Sequence, residues 1–261
     1  TGVHRCMGTE AEDATTFMLD LIYPIATVLL GYIVLGITGF GSALMIVPLL
    51  SWQWPLVEVV ALVLLLDVPA SFFQAGLNMQ HVAKSELKRL LPGLVVGAVL
   101  GLWLTRVLEP RWPLLALGVY VMSVGIANLR PHRAKKPITS AYWSSAAGVL
   151  IGMIEMLFGT AGPAIVAWLQ RRLSDVHALR ATTSLVIAIS ACAVLATMGV
   201  TGRLSSATLW WRWCILIGVA LVGVAIGNRL ARQISPLVLK KIICTLLVMS
   251  GLALTVHAAI S

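Results

Sequence analysis

The amino-acid sequence predicts an all-α integral membrane protein of two inverted-topology repeats, each a broken or re-entrant helical hairpin followed by three transmembrane helices. Three observations carry that expectation: too few charges for a water-facing globule, two apolar runs too long for one crossing and broken at matching places, and a one-sided distribution of basic residues. Of the 261 residues 59% are hydrophobic and 11% charged, and the mean hydropathy is +0.95. Soluble domains carry about 25% charged residues, so a soluble enzyme and a disordered or secreted chain are excluded. At about 20 apolar residues per span, the length holds roughly eight membrane segments and no soluble catalytic domain. Strands of an outer-membrane barrel would alternate over about 10 residues; these runs are continuous, which excludes that class too.

The apolar runs fall at residues 17–50, 58–78, 90–107, 113–129, 141–170, 178–199, 208–228 and 237–257. Six have ordinary span lengths. The first, at about 1.5 Å per residue, would reach about 51 Å as one helix, against a hydrocarbon core about 30 Å thick. It is interrupted at Gly39-Phe40-Gly41-Ser42, and the fifth run at Phe158-Gly159-Thr160-Ala161-Gly162-Pro163. If each long run crosses once, the 19 Lys and Arg divide ten against nine, with no bias. If each is a hairpin that returns to its own side, fourteen collect together, among them Lys84, Lys88, Arg89, Arg171, Arg172 and Arg180. Only Arg5, Arg106, Arg111, Arg203 and Arg212 then lie opposite. The positive-inside rule selects the hairpins, with both termini periplasmic or extracellular and the basic linker cytoplasmic. The same bias accounts for the net charge of +9 without nucleic-acid binding.

An internal repeat agrees. Phe40-Gly41-Ser42-Ala43 matches Phe158-Gly159-Thr160-Ala161 at an offset of 118, and Gly97, Gly101, Pro110 and Gly125 match Gly223, Gly227, Pro236 and Gly251 at 126. The expected organisation is an N-terminal extension at 1–16, which does not read as a signal peptide, repeat 1 at 17–130, a cytoplasmic linker at 131–140, and repeat 2 at 141–261. A hairpin plus three spans is an odd number of crossings, so the second copy enters inverted. Inverted repeats with interrupted helices are an architecture of secondary transporters, with the substrate at the repeat interface.

The second legs are expected to begin at Ser42 and Thr160 as N-caps, with Pro163 in a first helical turn. Their N-termini would present free N–H groups and positive dipole ends to an anion inside the membrane. Glycines at 39, 41, 159 and 162 let backbone approach a ligand. Asp67 near the middle of its run and Glu155 one turn before Gly159 are ionisable groups at membrane depth, hence candidates for coupling proton movement to transport. Gln74, Asn78 and Arg180 are secondary candidates. Gly93, Gly97, Gly101, Gly223 and Gly227 have the spacing of close helix packing. Trp52, Trp54, Trp112, Trp143, Trp210, Trp211 and Trp213 sit at run ends, as an aromatic belt requires. Scattered cysteines, isolated histidines and the lack of a Walker loop point to no metal, no cofactor and no ATP-driven pump.

The segment from Gly39 to Leu50, Gly-Phe-Gly-Ser-Ala-Leu-Met-Ile-Val-Pro-Leu-Leu, resembles the glycine-rich signature of the sulfite exporter TauE/SafE family. The Gly-Pro motif of 158–163 and Ala181-Thr182-Thr183-Ser184 resemble that family's second copy, and the likeness spans about residues 25 to 255. It implies a multi-pass protein of the bacterial inner membrane that exports small sulfur-containing anions such as sulfite, thiosulfate or organosulfonates like sulfoacetate. The substrate-binding candidates become Gly39, Phe40, Gly41, Ser42, Gly159, Thr160, Ala161, Gly162, Thr183 and Ser184. A carrier for carboxylates or other inorganic anions, a cation or metal permease, and an intramembrane enzyme stay as alternatives.

Overall fold

The structure, a computed structural model, describes residues 22–76, 80, 82–109, 111–129, 141–173, 176–230 and short helical pieces between 245 and 256. The expectations for 1–16 and for the 131–140 linker lie outside these residues. Every regular element among the described residues is helical. They are α1 (Ile22–Thr38), α2 (Ser42–Leu50), α3 (Leu56–Gly76), α4 (Lys84–Val107), α5 (Arg111–Leu129), α6 (Ala141–Phe158), α7 (Gly162–Leu169), α8 (Val176–Val200) and α9 (Ala207–Leu230). α3, α4, α9 and the Ala181–Val200 part of α8 are long and apolar enough to cross a membrane. α4 begins six residues before its apolar run, because Lys84–Arg89 extends the helix as a polar turn and a half.

Both overlong runs fold back. Tyr23 at the start of α1 donates its hydroxyl to the Leu49 carbonyl near the end of α2 at 2.9 Å. Arg172, just past α7, donates to Ser144 Oγ near the start of α6 at 2.7 Å. A single straight helix would hold the members of each pair tens of ångströms apart, about 39 Å for 26 residues. The two hairpin bases lie at opposite ends of the molecule. Near the first, Glu58 at the start of α3 pairs with Arg212 at 3.0 Å. At the second, Glu86 at the start of α4, beyond the other end of α3, pairs with Arg172 at 3.6 Å.

The hairpins are equivalent at an offset of 120, which corrects the 118 suggested by the matching four-residue words. α1 ends at Thr38 and α6 at Phe158; Gly39 and Gly159 follow in the left-handed region, with φ of 83° and 64°. Their N–H groups close the last helical turns onto the Leu35 and Glu155 carbonyls at 2.7 and 2.8 Å. α2 and α7 then start at Ser42 and Gly162. Word similarity misaligned the copies by two residues because the geometry requires a glycine after the first leg, not a particular phenylalanine.

Each hairpin is clasped by a glycine-faced helix from the other half of the chain. A Cβ on Gly93 or Gly97 of α4 would collide with α6 backbone at Ser145 or Val149, and one on Gly148 or Gly152 of α6 would meet Leu90 or Leu94 of α4. On the other side Gly223 and Gly227 of α9 lie against Leu29, Ile33 and Gly36 of α1. Small residues that let backbones touch replace the hydrophobic drive that lipid cannot supply. The outer faces of α4 and α9 carry exposed Val95, Val99, Trp103, Trp211 and Val222, suited to lipid. α3 is buried nearly all round over residues 59–64 and forms the centre.

Two tryptophans assigned to the aromatic belt have specific partners. Pro69 inside α3 lacks the N–H that would bond the Leu65 carbonyl, and Trp213 Nε1 donates to that carbonyl at 3.1 Å. Trp54 lies under the Arg212 guanidinium, 3.9 Å from its ring centre. At the opposite base Arg172 sits 5.2 Å over the Trp168 ring. A Trp–Arg–Glu group thus closes each hairpin base.

Gly97→Ala is expected to cost about 1–3 kcal/mol by overpacking the α4–α6 contact. Gly218→Ala on α9, where an added Cβ meets nothing within 4 Å, should be neutral or gain about 0.5–1 kcal/mol of helix propensity. Thermal unfolding of the two variants in the same detergent reads the difference; equal midpoints would contradict the glycine clasp.

Candidate functional site

The hairpin tips meet. A Cβ on Gly162 would stand 3.3 Å from Phe40 Cβ and 3.7 Å from the Gly41 nitrogen. Beside this contact lies a small, partly open cavity. Its walls are residues 41–43 of the first tip, 159–162 of the second, and Leu35, Asp67, Glu155 and Ile187. At the structural offset of 120, Leu35 is the counterpart of Glu155 and Asp67 the counterpart of Ile187. Equivalent positions therefore line the cavity from both halves, and each half supplies one carboxyl from a different position.

The helix starts differ from the sequence expectation. The N-caps are Gly41, with φ of 100°, and Ala161; neither Ser42 nor Thr160 caps with its side chain. Pro163 does occupy the first turn of α7. Ser42 is already helical, and its hydroxyl donates to Asp67 Oδ1 at 2.9 Å. The same oxygen accepts from the Tyr32 hydroxyl at 2.7 Å. At the second tip Glu155 reaches across the break, and its Oε2 accepts from the Ala161 N–H at 2.9 Å. Among the donors at the α7 N-terminus, that N–H is thus held by a carboxyl of the protein itself.

Other groups brace the tips. Tyr120 of α5 donates its hydroxyl to the Thr160 carbonyl at 3.2 Å and stacks on Phe158 with ring centres 5.8 Å apart. Ser184 Oγ donates to the Gly39 carbonyl at 3.4 Å. Thr38 Oγ1 accepts from the Phe40 N–H at 3.3 Å.

Of the candidate residues, the cavity joins Gly41, Ser42, Gly159, Thr160, Ala161 and Gly162 with Asp67 and Glu155. Gly39 and Phe40 belong to the tip but not to the cavity wall. Thr183 precedes the cavity residue Ile187 by one turn, and Ser184 serves the Gly39 carbonyl. Gln74 donates to the Gly36 carbonyl at 3.5 Å, deeper along α1. Asn78 and the Arg180 side chain lie outside the described residues. Tyr32 and Tyr120 were not among the sequence candidates. Their signal was there: a tyrosine in mid-run carries a hydroxyl that needs a buried partner.

A profile of the family described as "Sulfite exporter TauE/SafE" matches residues 24–254. A protein of Comamonas testosteroni described as "Probable inner membrane transporter protein TsaS" is 42% identical over 197 residues, covering 75% of this chain and 82% of the relative. No solved structure matches.

Glu155→Gln keeps an acceptor for the Ala161 N–H and is expected to stay within about 0.5 kcal/mol of the parent, whereas Glu155→Ala orphans that donor and costs about 1–3 kcal/mol. Detergent unfolding midpoints distinguish them; an alanine variant as stable as the glutamine one would remove Glu155 from its capping role.

Proposed function

The chain belongs to the sulfite exporter TauE/SafE family, and from that premise we propose that it is an inner-membrane secondary transporter that exports small sulfur-containing anions: sulfite, thiosulfate or an organosulfonate such as sulfoacetate. The carrying observation is the meeting of two half-helix N-termini at one cavity, with Ser42, the Ala161 N–H and two carboxyls around it. The two copies are read as inverted repeats, spanning 17–130 and 141–261, with both termini periplasmic. Hairpin bases at opposite ends of α3 support that reading.

The geometry suggests how an anion and a proton share the site. The donors an anion needs are held by carboxyls: Ser42 Oγ by Asp67, and the Ala161 N–H by Glu155. A carboxyl that takes up a proton accepts less strongly and can release its donor to the incoming anion. When the anion leaves, the ionised carboxyl recovers the donor. Two ionised carboxylates and an anion in one cavity would repel one another, so the exchange links anion occupancy to protonation. Asp67 and Glu155 are the coupling groups on this reading. A cation or metal permease would use the same two carboxyls as ligands, and the flux panel below separates the two readings.

Proteoliposomes are expected to move sulfite, thiosulfate or sulfoacetate in preference to acetate, taurine and divalent metals, with a rate that depends on pH. Asp67→Asn should flatten that pH dependence. Metal flux with indifference to every anion would end the proposal, and an unaltered pH profile in Asp67→Asn would end its coupling step. Reporters fused after Leu50 and after Gln170 should read periplasmic and cytoplasmic respectively; the same answer for both would refute the inverted arrangement.

A further inference from the structure

The polar groups at the tips are matched, but a seam leading away from them is not. Ser71 Oγ, Gln74 Oε1 and Thr183 Oγ1 are sealed from the surface and have no hydrogen-bond partner among the described residues. Their residues are 1%, 7% and 2% exposed. Orphaned buried hydroxyls and amides are rare in native interiors and costly to keep, so a cluster of them calls for a ligand.

Their placement follows an order. α3 and α8 pack side by side and run antiparallel: past the end of α3, the Ala83 N–H meets Thr182 Oγ1 in the early turns of α8 at 3.0 Å. Asp67 on α3 and Ile187 on α8 both line the tip cavity. Ser71 stands one turn after Asp67, and Thr183 one turn before Ile187. Because the helices are antiparallel, both steps lead the same way, about 6 Å along the helix axes. That way lies the end carrying Lys84, Lys88, Arg89 and Arg172. Gln74 continues the line on α3, and α1 closes the side through Gly36 and Gly39, which meet Gln74 and Ser184.

We infer that this seam is a second oxyanion subsite, a waiting position on the basic side of the tip cavity. The Ser71 and Thr183 hydroxyls donate to the anion; Gln74, whose orphaned Oε1 is an acceptor, makes no contact with it. The inference rests on the anion-transport reading above. Neither hydroxyl has a bond to give up, so each can turn its proton to an arriving anion at once; Ser42 and the Ala161 N–H must first leave a carboxyl. The subsite therefore holds the anion until the tip donors are released. The cationic end raises the anion concentration on that side of the molecule.

Ser71→Ala and Thr183→Val, singly and together, are to be reconstituted and assayed with thiosulfate offered from the basic side or from the opposite side. The double variant should raise KM at least roughly tenfold from the basic side, the loss of one or both hydrogen bonds to a charged ligand. KM from the opposite side should change less than twofold, and thermal stability should hold or rise because orphaned hydroxyls are gone. Thr183→Ser should shift KM less than Thr183→Val. An unchanged basic-side KM, or an equal rise from both sides, overturns the subsite. If the parent protein moves none of the sulfur anions, the transport reading fails instead. The seam is then judged by Ser71→Cys and Thr183→Cys in a background freed of native cysteines, a measurement that also decides the matter should the double variant not fold. Modification by a sulfonate-bearing methanethiosulfonate from the basic side alone supports an anion-accessible seam, and no modification from that side overturns it.

Discussion

The constraint on which the rest depends is the satisfaction of backbone polar groups where two helices are broken at membrane depth. Hydrocarbon offers neither donor nor acceptor, so irregular backbone survives there only when other parts of the protein answer it. Here the answers come from the hairpin itself and from far along the chain. The Ala161 N–H is met by Glu155, the Thr160 carbonyl by Tyr120 and the Gly39 carbonyl by Ser184. Each hairpin takes partners from the helices around it, and the tips pack against each other. The need that stabilises the breaks also fills the site with donors and carboxyls.

Asp67 and Glu155 accept from Ser42 and from the Ala161 N–H, and so support the fold. The proposed transport reading gives them a second part, in which they would compete with an anion for the same donors. A group that must be displaced by the ligand and can be neutralised by a proton is a physical basis for coupling the two. The asymmetry of the carboxyls suits this: one comes from the central helix and the other from a hairpin leg, so they hold different donors and need not respond together.

Strength is distributed unevenly. The hairpins are gripped along their first legs by glycine-faced helices whose backbones touch, and their bases are closed by Trp54–Arg212–Glu58 and Trp168–Arg172–Glu86. Between them, along α3 and α8, contacts are long or unmade: Gln74 to Gly36 at 3.5 Å, Ser184 to Gly39 at 3.4 Å, and the orphaned Ser71 and Thr183.

Much of this was legible in the sequence because it follows from local rules. The apolar composition, the run lengths and the glycine breaks determined a membrane protein with two folded-back helices, and the basic residues chose hairpins over kinks. Asp67 and Glu155 were visible because a carboxyl within an apolar run is rare enough to matter wherever it sits. The register of the repeat was not legible. The words Phe-Gly-Ser-Ala and Phe-Gly-Thr-Ala align at 118, yet the helices end and begin at 120, since a left-handed turn tests φ and not word similarity. Nor could the reading say that Ser42 bonds a carboxyl instead of capping its helix, that Tyr32 and Tyr120 serve the tips, or that Leu35 and Ile187 complete the cavity. Those are pairings between residues up to more than a hundred positions apart, and only tertiary structure decides which of several possible partners comes within hydrogen-bond reach.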